Sequence, residues 1–159
     1  VPPGDAGMVA RVRAGSKTPI AMGDEQGGSY HPEALLTAGA VDVIRVDATT
    51  NGGVTGLKKS LERVRNAQVK VSPHMFPHLH SRLLPIFGFK DVPIEWGIPG
   101  TGVHSMDDGL EQPVIENGMM KPLTTTVGLG KLVDYKWITA QQVTDQLGAL
   151  EQIPRACLK

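Results

Sequence analysis

Excess charge of either sign is missing: 16 Lys and Arg balance 16 Asp and Glu over 159 residues. A neutral chain with no basic run lacks the electrostatic footprint of a nucleic-acid binder and of a protein held on an anionic membrane. No run approaches the roughly 18 apolar residues of a membrane-spanning helix. Cysteine is almost absent. Cys157 stands alone, which excludes an intramolecular disulfide and a cysteine-based metal site and fits a reducing, cytoplasmic location. Aromatic residues are only 4% of the chain. Gly and Pro are abundant, at 19 and 12, so many turns are expected. The apolar residues fall in short, spaced runs, as in a folded chain. The opening Val1-Pro2-Pro3 has no initiator Met, and a fragment, a processed product or part of a longer chain is expected.

Four short runs stand out. Thr18 to Met22, Val41 to Val46, Val69 to Pro73 and Val92 to Ile94 have the length and β-branching of strands. Each leads into residues able to do acid–base chemistry: Asp24 and Glu25, Asp47, His74 and Glu95. Asp24, Asp47, His74 and Glu95 are separated by 23, 27 and 21 positions. Helical patterns fill the gaps. Pro32 to Ala38 stops at Gly39. Thr55 to Ala67 carries Leu57, Leu61 and Val64 on one face and Lys58, Lys59, Glu62, Arg63 and Arg65 on the other. His78 to Phe87 is a third helix, interrupted late by Pro85. Upstream, Asp5 is placed to cap a helix over Ala6 to Ala14, with Met8, Val9 and Val12 inward. Strands alternating with helices imply a parallel sheet with crossover helices.

Beyond Glu95 the alternation ends. Residues 97–109 are rich in Gly and turn formers, Pro113 to Met120 reads as a hairpin around Asn117-Gly118, and Thr139 to Leu150 as a closing helix. A boundary is expected near residue 103, dividing 1–103 from 104–159.

In parallel α/β folds, ligands bind beyond the carboxyl ends of the strands. A polar residue there can also simply open a loop or cap the next helix. Four successive strand ends carrying only acid–base residues favour a site. A doubly wound sheet is not supported, because neither Gly27-Gly28 nor Gly52-Gly53 completes a G-x-G-x-x-G fingerprint. A closed barrel needs roughly 250 residues, and four strands are half of one.

Several segments together resemble the enolase superfamily, and within it the mandelate racemase subgroup of the mandelate racemase and muconate lactonizing enzyme family. They are Met22-Gly23-Asp24-Glu25, Asp47 followed by Gly52-Gly53-Val54-Thr55-Gly56, Ser72-Pro73-His74-Met75-Phe76, and Ile94-Glu95-Trp96. The likeness covers roughly residues 1–135. It implies an α/β fold: the C-terminal half, strands five to eight, of a (β/α) TIM-type barrel. Residues 104–159 would return to an α+β capping domain.

The resemblance also implies roles. Asp24 falls at the third Mg²⁺ ligand, with Glu25 as an alternative ligand or a supporting residue. His74 matches the general base and contacts substrate, and Asp47 is its partner. Glu95 matches the acid that hydrogen-bonds the substrate carboxylate or enolate, which requires it to be protonated. The family's first two metal ligands and its strand-two base fall outside this sequence. The fragment alone is therefore expected to be inactive, and the other half of the barrel and cap to be supplied by the same or a second chain. Homo-oligomers are expected, as is common in the family.

The implied reaction is Mg²⁺-dependent removal of the proton α to a carboxylate in a hydroxy acid or acid sugar. Dehydration to a 2-keto-3-deoxy acid is the leading outcome. A racemase or epimerase by the same enediolate, and a non-catalytic truncated half-barrel, stand as alternatives. Strand alternation puts Val43, Arg45 and Asp47 on one face and Ile44 and Val46 on the other, leaving Arg45 in need of an acidic partner or a phosphate. His78 and His80 read as a solvated helix start rather than metal ligands. His31 and His104 are expected at the surface, Cys157 idle, and Met119-Met120 in hairpin packing.

Overall fold

The computed structural model describes residues 1–24, 26–96, 114–120, 128 and 136. The elements run α1 (Ala6–Gly15), β1 (Ala21–Met22), α2 (Tyr30–Thr37), β2 (Val43–Val46), α3 (Gly53–Ala67), β3 (Lys70–Pro73), α4 (Pro77–Ile86), β4 (Ile115–Glu116) and β5 (Met119–Met120). The first three strands form one parallel sheet in the order β1-β2-β3, with Ala21 opposite Val43, Ile44 opposite Val71 and Val46 opposite Pro73. Neighbours in sequence are neighbours in the sheet, so the carboxyl ends of these three strands open on the same side.

Local chemistry accounts for each element. Asp5 caps α1 by accepting from the Met8 amide at 2.9 Å. Only Val9 of that helix is buried. Met8 and Val12 are 40% and 45% exposed, so the inward stripe expected there is narrower than its spacing suggested. In α3 the apolar stripe is complete: Leu57, Leu61 and Val64 are buried, and the basic and acidic residues lie outside. Pro85 stays within α4 because it sits in the last turn, where one lost helical hydrogen bond is tolerated. Strand β1 is shorter than its sequence run. Asp42 takes over the Ile20 amide at 2.8 Å and is itself paired to Arg13 at 2.8 Å. Asn117 and Gly118 both have positive φ, as a type I′ hairpin turn requires.

Some expectations need correction, and others fall outside the described residues. Val92 to Ile94 forms no strand, consistent with Pro93 lacking the N–H that a ladder needs. The boundary near residue 103 and the helix over 139–150 lie outside the described residues, as do Glu25, His104 and Cys157.

The core lies between β2, β3 and the helices: Leu35, Ile44, Val46, Leu57, Leu61, Val64 and Leu84 are essentially inaccessible. Ile44 and Val46 face this layer, and Val43 and Arg45 the other side, as the strand alternation predicts. Each buried aliphatic side chain contributes on the order of 1.5–3 kcal/mol. The sheet is thereby pinned on one face, and the functional residues are left on its rim and its opposite face.

Candidate active site

Asp24, Asp47 and His74 follow the ends of β1, β2 and β3, and Glu95 lies on the segment beyond α4. Their side chains meet. His74 Nδ1 lies 3.1 Å from Asp47 Oδ2, and His74 Nε2 lies 3.3 Å from Asp24 Oδ2. The imidazole thus stands between two carboxylates.

Asp47 is held from several sides. Its side chain is 1% exposed, and Oδ1 accepts from the Thr49 amide and hydroxyl, both at 2.8 Å. Its own amide donates to Asn51 Oδ1 at 3.0 Å, and Asn51 N–H returns to the Asp47 carbonyl at 2.8 Å. These bonds spring from the local Asp-x-Thr-x-Asn sequence, a turn in which short polar side chains bond nearby backbone. The turn also grips its neighbour, since the Gly28 amide donates to the Thr50 carbonyl at 2.8 Å.

Two glycines permit the close approach. A Cβ at Gly56 would fall 1.7 Å from the Asn51 carbonyl oxygen. Gly23, at φ +146°, would put one 2.3 Å from the Arg45 carbonyl oxygen.

Of the two kinds of partner its strand position allowed, Arg45 has acidic ones. Nε lies 2.9 Å from Asp24 Oδ1 and Nη2 lies 2.7 Å from Glu95 Oε2. Glu95 Oε2 also accepts from the Met75 amide at 3.0 Å. Burial pushes the Glu95 carboxyl up, but the Met75 N–H and the Arg45 guanidinium outweigh it and hold the group below its ordinary value. Both donors point at Glu95 Oε2, an arrangement that favours the charged form of the carboxyl.

The histidines of α2 and α4 also depart from expectation. His31 is 1% exposed, with Nε2 2.9 Å from the Pro3 carbonyl oxygen. His78 and His80 are 2% and 0% exposed, because the start of α4 packs inward against the strand ends. His80 contacts the Asp47 turn directly, which the sequence pattern did not reveal. No group of three or more metal-ligating side chains occurs among the described residues. Asp24 offers hard oxygens, and both of its carboxylate atoms point into the cluster. Met119 is 71% exposed and packs little.

Residues 1–137 match the family described as enolase C-terminal domain-like. The chain belongs to that family. A D-galactarolactone cycloisomerase from Agrobacterium fabrum is 36% identical over 67 residues, covering 42% of this chain and 18% of its own length. Among solved structures of the superfamily, the L-talarate dehydratase of Polaromonas sp., crystallised with Mg and L-glucarate, superposes with a TM-score of 0.68 at 24% identity. It covers 82% of this chain and 34% of its own. An enolase from Bradyrhizobium with magnesium and mandelic acid gives a TM-score of 0.71 at 21% identity over 91% of this chain and 38% of its own. At such identities the likeness establishes the α/β fold of the enolase C-terminal domain. The chain spans under two-fifths of the structures it matches and about a fifth of the curated relative.

Proposed function

We propose that this chain supplies part of a Mg²⁺-dependent enzyme that removes the proton α to a carboxylate, acting as an acid-sugar dehydratase. In this reading residues 1–103 are the C-terminal half of a (β/α) barrel, with β1 to β3 as strands five to seven and the segment ending at Glu95, which forms no strand here, in the place of the eighth. Residues 104–159 return to a capping domain, and the other half of the barrel comes from the same or a second chain. The relatives support the substrate class: one is named for a galactarolactone, another for L-talarate and holds L-glucarate.

The observation that carries the reading is the imidazole of His74 set between Asp47 and Asp24 at 3.1 and 3.3 Å. Asp47 fixes the ring through Nδ1–H and stabilises the imidazolium formed when Nε2 takes a proton. Nε2 faces Asp24 Oδ2, and 24% of the His74 side chain is exposed. Asp24 is suited to Mg²⁺ as one hard oxygen ligand. Its pairing with Arg45 Nε at 2.9 Å fits a carboxylate in need of a positive partner. When bound, the metal would stabilise the negative charge that develops on the substrate carboxylate. Glu25 remains an alternative ligand. Glu95 becomes a hydrogen-bond donor to substrate only after Arg45 has been drawn to another anion, such as a substrate carboxylate.

A racemase or epimerase outcome shares every step up to proton removal, and the cycloisomerase relative favours keeping it as second choice. The test is a screen of acid sugars with the complete polypeptide, with and without Mg²⁺, for 2-keto-3-deoxy products. Metal-dependent product from at least one diacid supports the dehydratase. Exchange or inversion at the α-carbon without loss of water supports the racemase. Neither, across the library, overturns the proposal.

A further inference from the structure

His80 is completely buried, yet both ring nitrogens are used. The Ala48 amide donates to Nε2 at 3.0 Å, and Nδ1 lies 2.7 Å from the Met75 carbonyl oxygen. Backbone groups have fixed roles: an amide can only donate and a carbonyl can only accept. Nε2 is therefore bare and Nδ1 carries the single proton. Nε2 is also 3.6 Å from Asp47 Oδ1, an oxygen already satisfied by Thr49, so no proton lies between the two. The ring is neutral and locked, with neither nitrogen free to move a proton or bind a metal.

The two residues it holds follow the proposed base and its partner directly: Ala48 follows Asp47, and Met75 follows His74. Met75 and Phe76 both have left-handed backbone, at φ 48° and 43°, a conformation costly for side chains of their size. The turn they form closes on α4, because the His80 amide donates to the Phe76 carbonyl at 3.0 Å. The same turn aims the Met75 amide at Glu95.

We infer that His80 is a positioning residue, a strut between the strand ends that sets the distance and orientation between Asp47 and His74 and presents the Met75 N–H to Glu95. A histidine that merely filled core volume would not be required to satisfy these two backbone groups. The kinetic part of the test rests on the reading of His74 and Asp47 given above; the spectroscopic part does not.

The experiment uses the complete polypeptide with ¹⁵N-labelled histidine. Long-range ¹H–¹⁵N correlation spectra should show His80 as the neutral Nδ1–H tautomer. In His80→Leu, which removes both bonds, the His74 ring signals should move or broaden. With a turned-over acid sugar, kcat should fall about 10–100-fold, the range for residues that orient catalytic histidines and carboxylates, while KM changes less than about threefold. His80→Gln places an amide near the Nε2 position and should recover part of the loss. An Nε2–H tautomer for His80 overturns the inference. So do unmoved His74 signals in a folded His80→Leu protein, or His80→Gln behaving no better than His80→Leu. Should His80→Leu not fold, the wild-type tautomer and the His74 signals of His80→Gln decide. Should no acid sugar react, the spectra still decide, and the functional proposal fails separately.

Discussion

Arg45 and Glu95, 50 positions apart in sequence, meet with Nη2 2.7 Å from Oε2. The contact draws the segment after α4 back over the strand ends and completes the cluster on that side. It also ties up Glu95, since a carboxylate held by a guanidinium and a backbone N–H favours its charged form.

Replacing Arg45 by Gln should therefore raise the Glu95 titration midpoint. Burial, which opposes ionisation, and the Met75 amide would then be left to compete. Side-chain ¹³C chemical shifts of Glu95 against pH would check this. The linked stability has the sign of a depressed carboxyl: it is present above the ordinary value of 4.5 and lost as pH falls through the lower folded-state value. The acid limb of the urea midpoint should be shallower in Arg45→Gln.

Gly56→Ala should destabilise the protein by about 1–3 kcal/mol. The new methyl would strike the Asn51 carbonyl at 1.7 Å, and Asn51 anchors Asp47 through two hydrogen bonds. Activity should fall beyond what the lost folded fraction explains. Gly15, at the end of α1, has nothing within 4 Å of the place a Cβ would take. Gly15→Ala should be neutral or stabilising by up to about 1 kcal/mol. Urea denaturation of the two variants is the check.

His80 gives a second pH dependence. Burial, opposed by weaker bonding and charge effects, holds it below its ordinary 6.5. As pH falls the unfolded chain takes up the proton first, so stability is full above about 6.5 and declines toward the folded-state value. Urea midpoints between about pH 7.5 and 5.5 should fall, and His80→Gln should remove part of that slope.

The sequence made much of this legible. The helices at 6–15, 53–67 and 77–86 carry caps, stripes or stop signals read from neighbours a turn away. The Asp24, Asp47 and His74 positions follow from strand ends, because a parallel sheet puts all such ends on one side. The sequence was less informative where long-range packing decides. His31 and His78 carry no local mark of burial; α2 and α4 bury them by where they dock. The acidic partners of Arg45 lie 21 and 50 residues away, beyond any local pattern. The run at 92–94 had β-branched residues but a proline at its centre, and the missing donor outweighed propensity. One signal for His80 was available: it stands six residues after His74, at the start of a helix whose first turn faces the strand ends.

The most direct measurement is α-proton exchange in D₂O, followed by NMR, with the complete polypeptide, Mg²⁺ and a reactive acid sugar. With His74 as the base, wild type exchanges the α-proton, and His74→Asn slows exchange by at least about 10²-fold, the lower range for general-base catalysis, while still folding and binding substrate. Exchange in His74→Asn at the wild-type rate would contradict it.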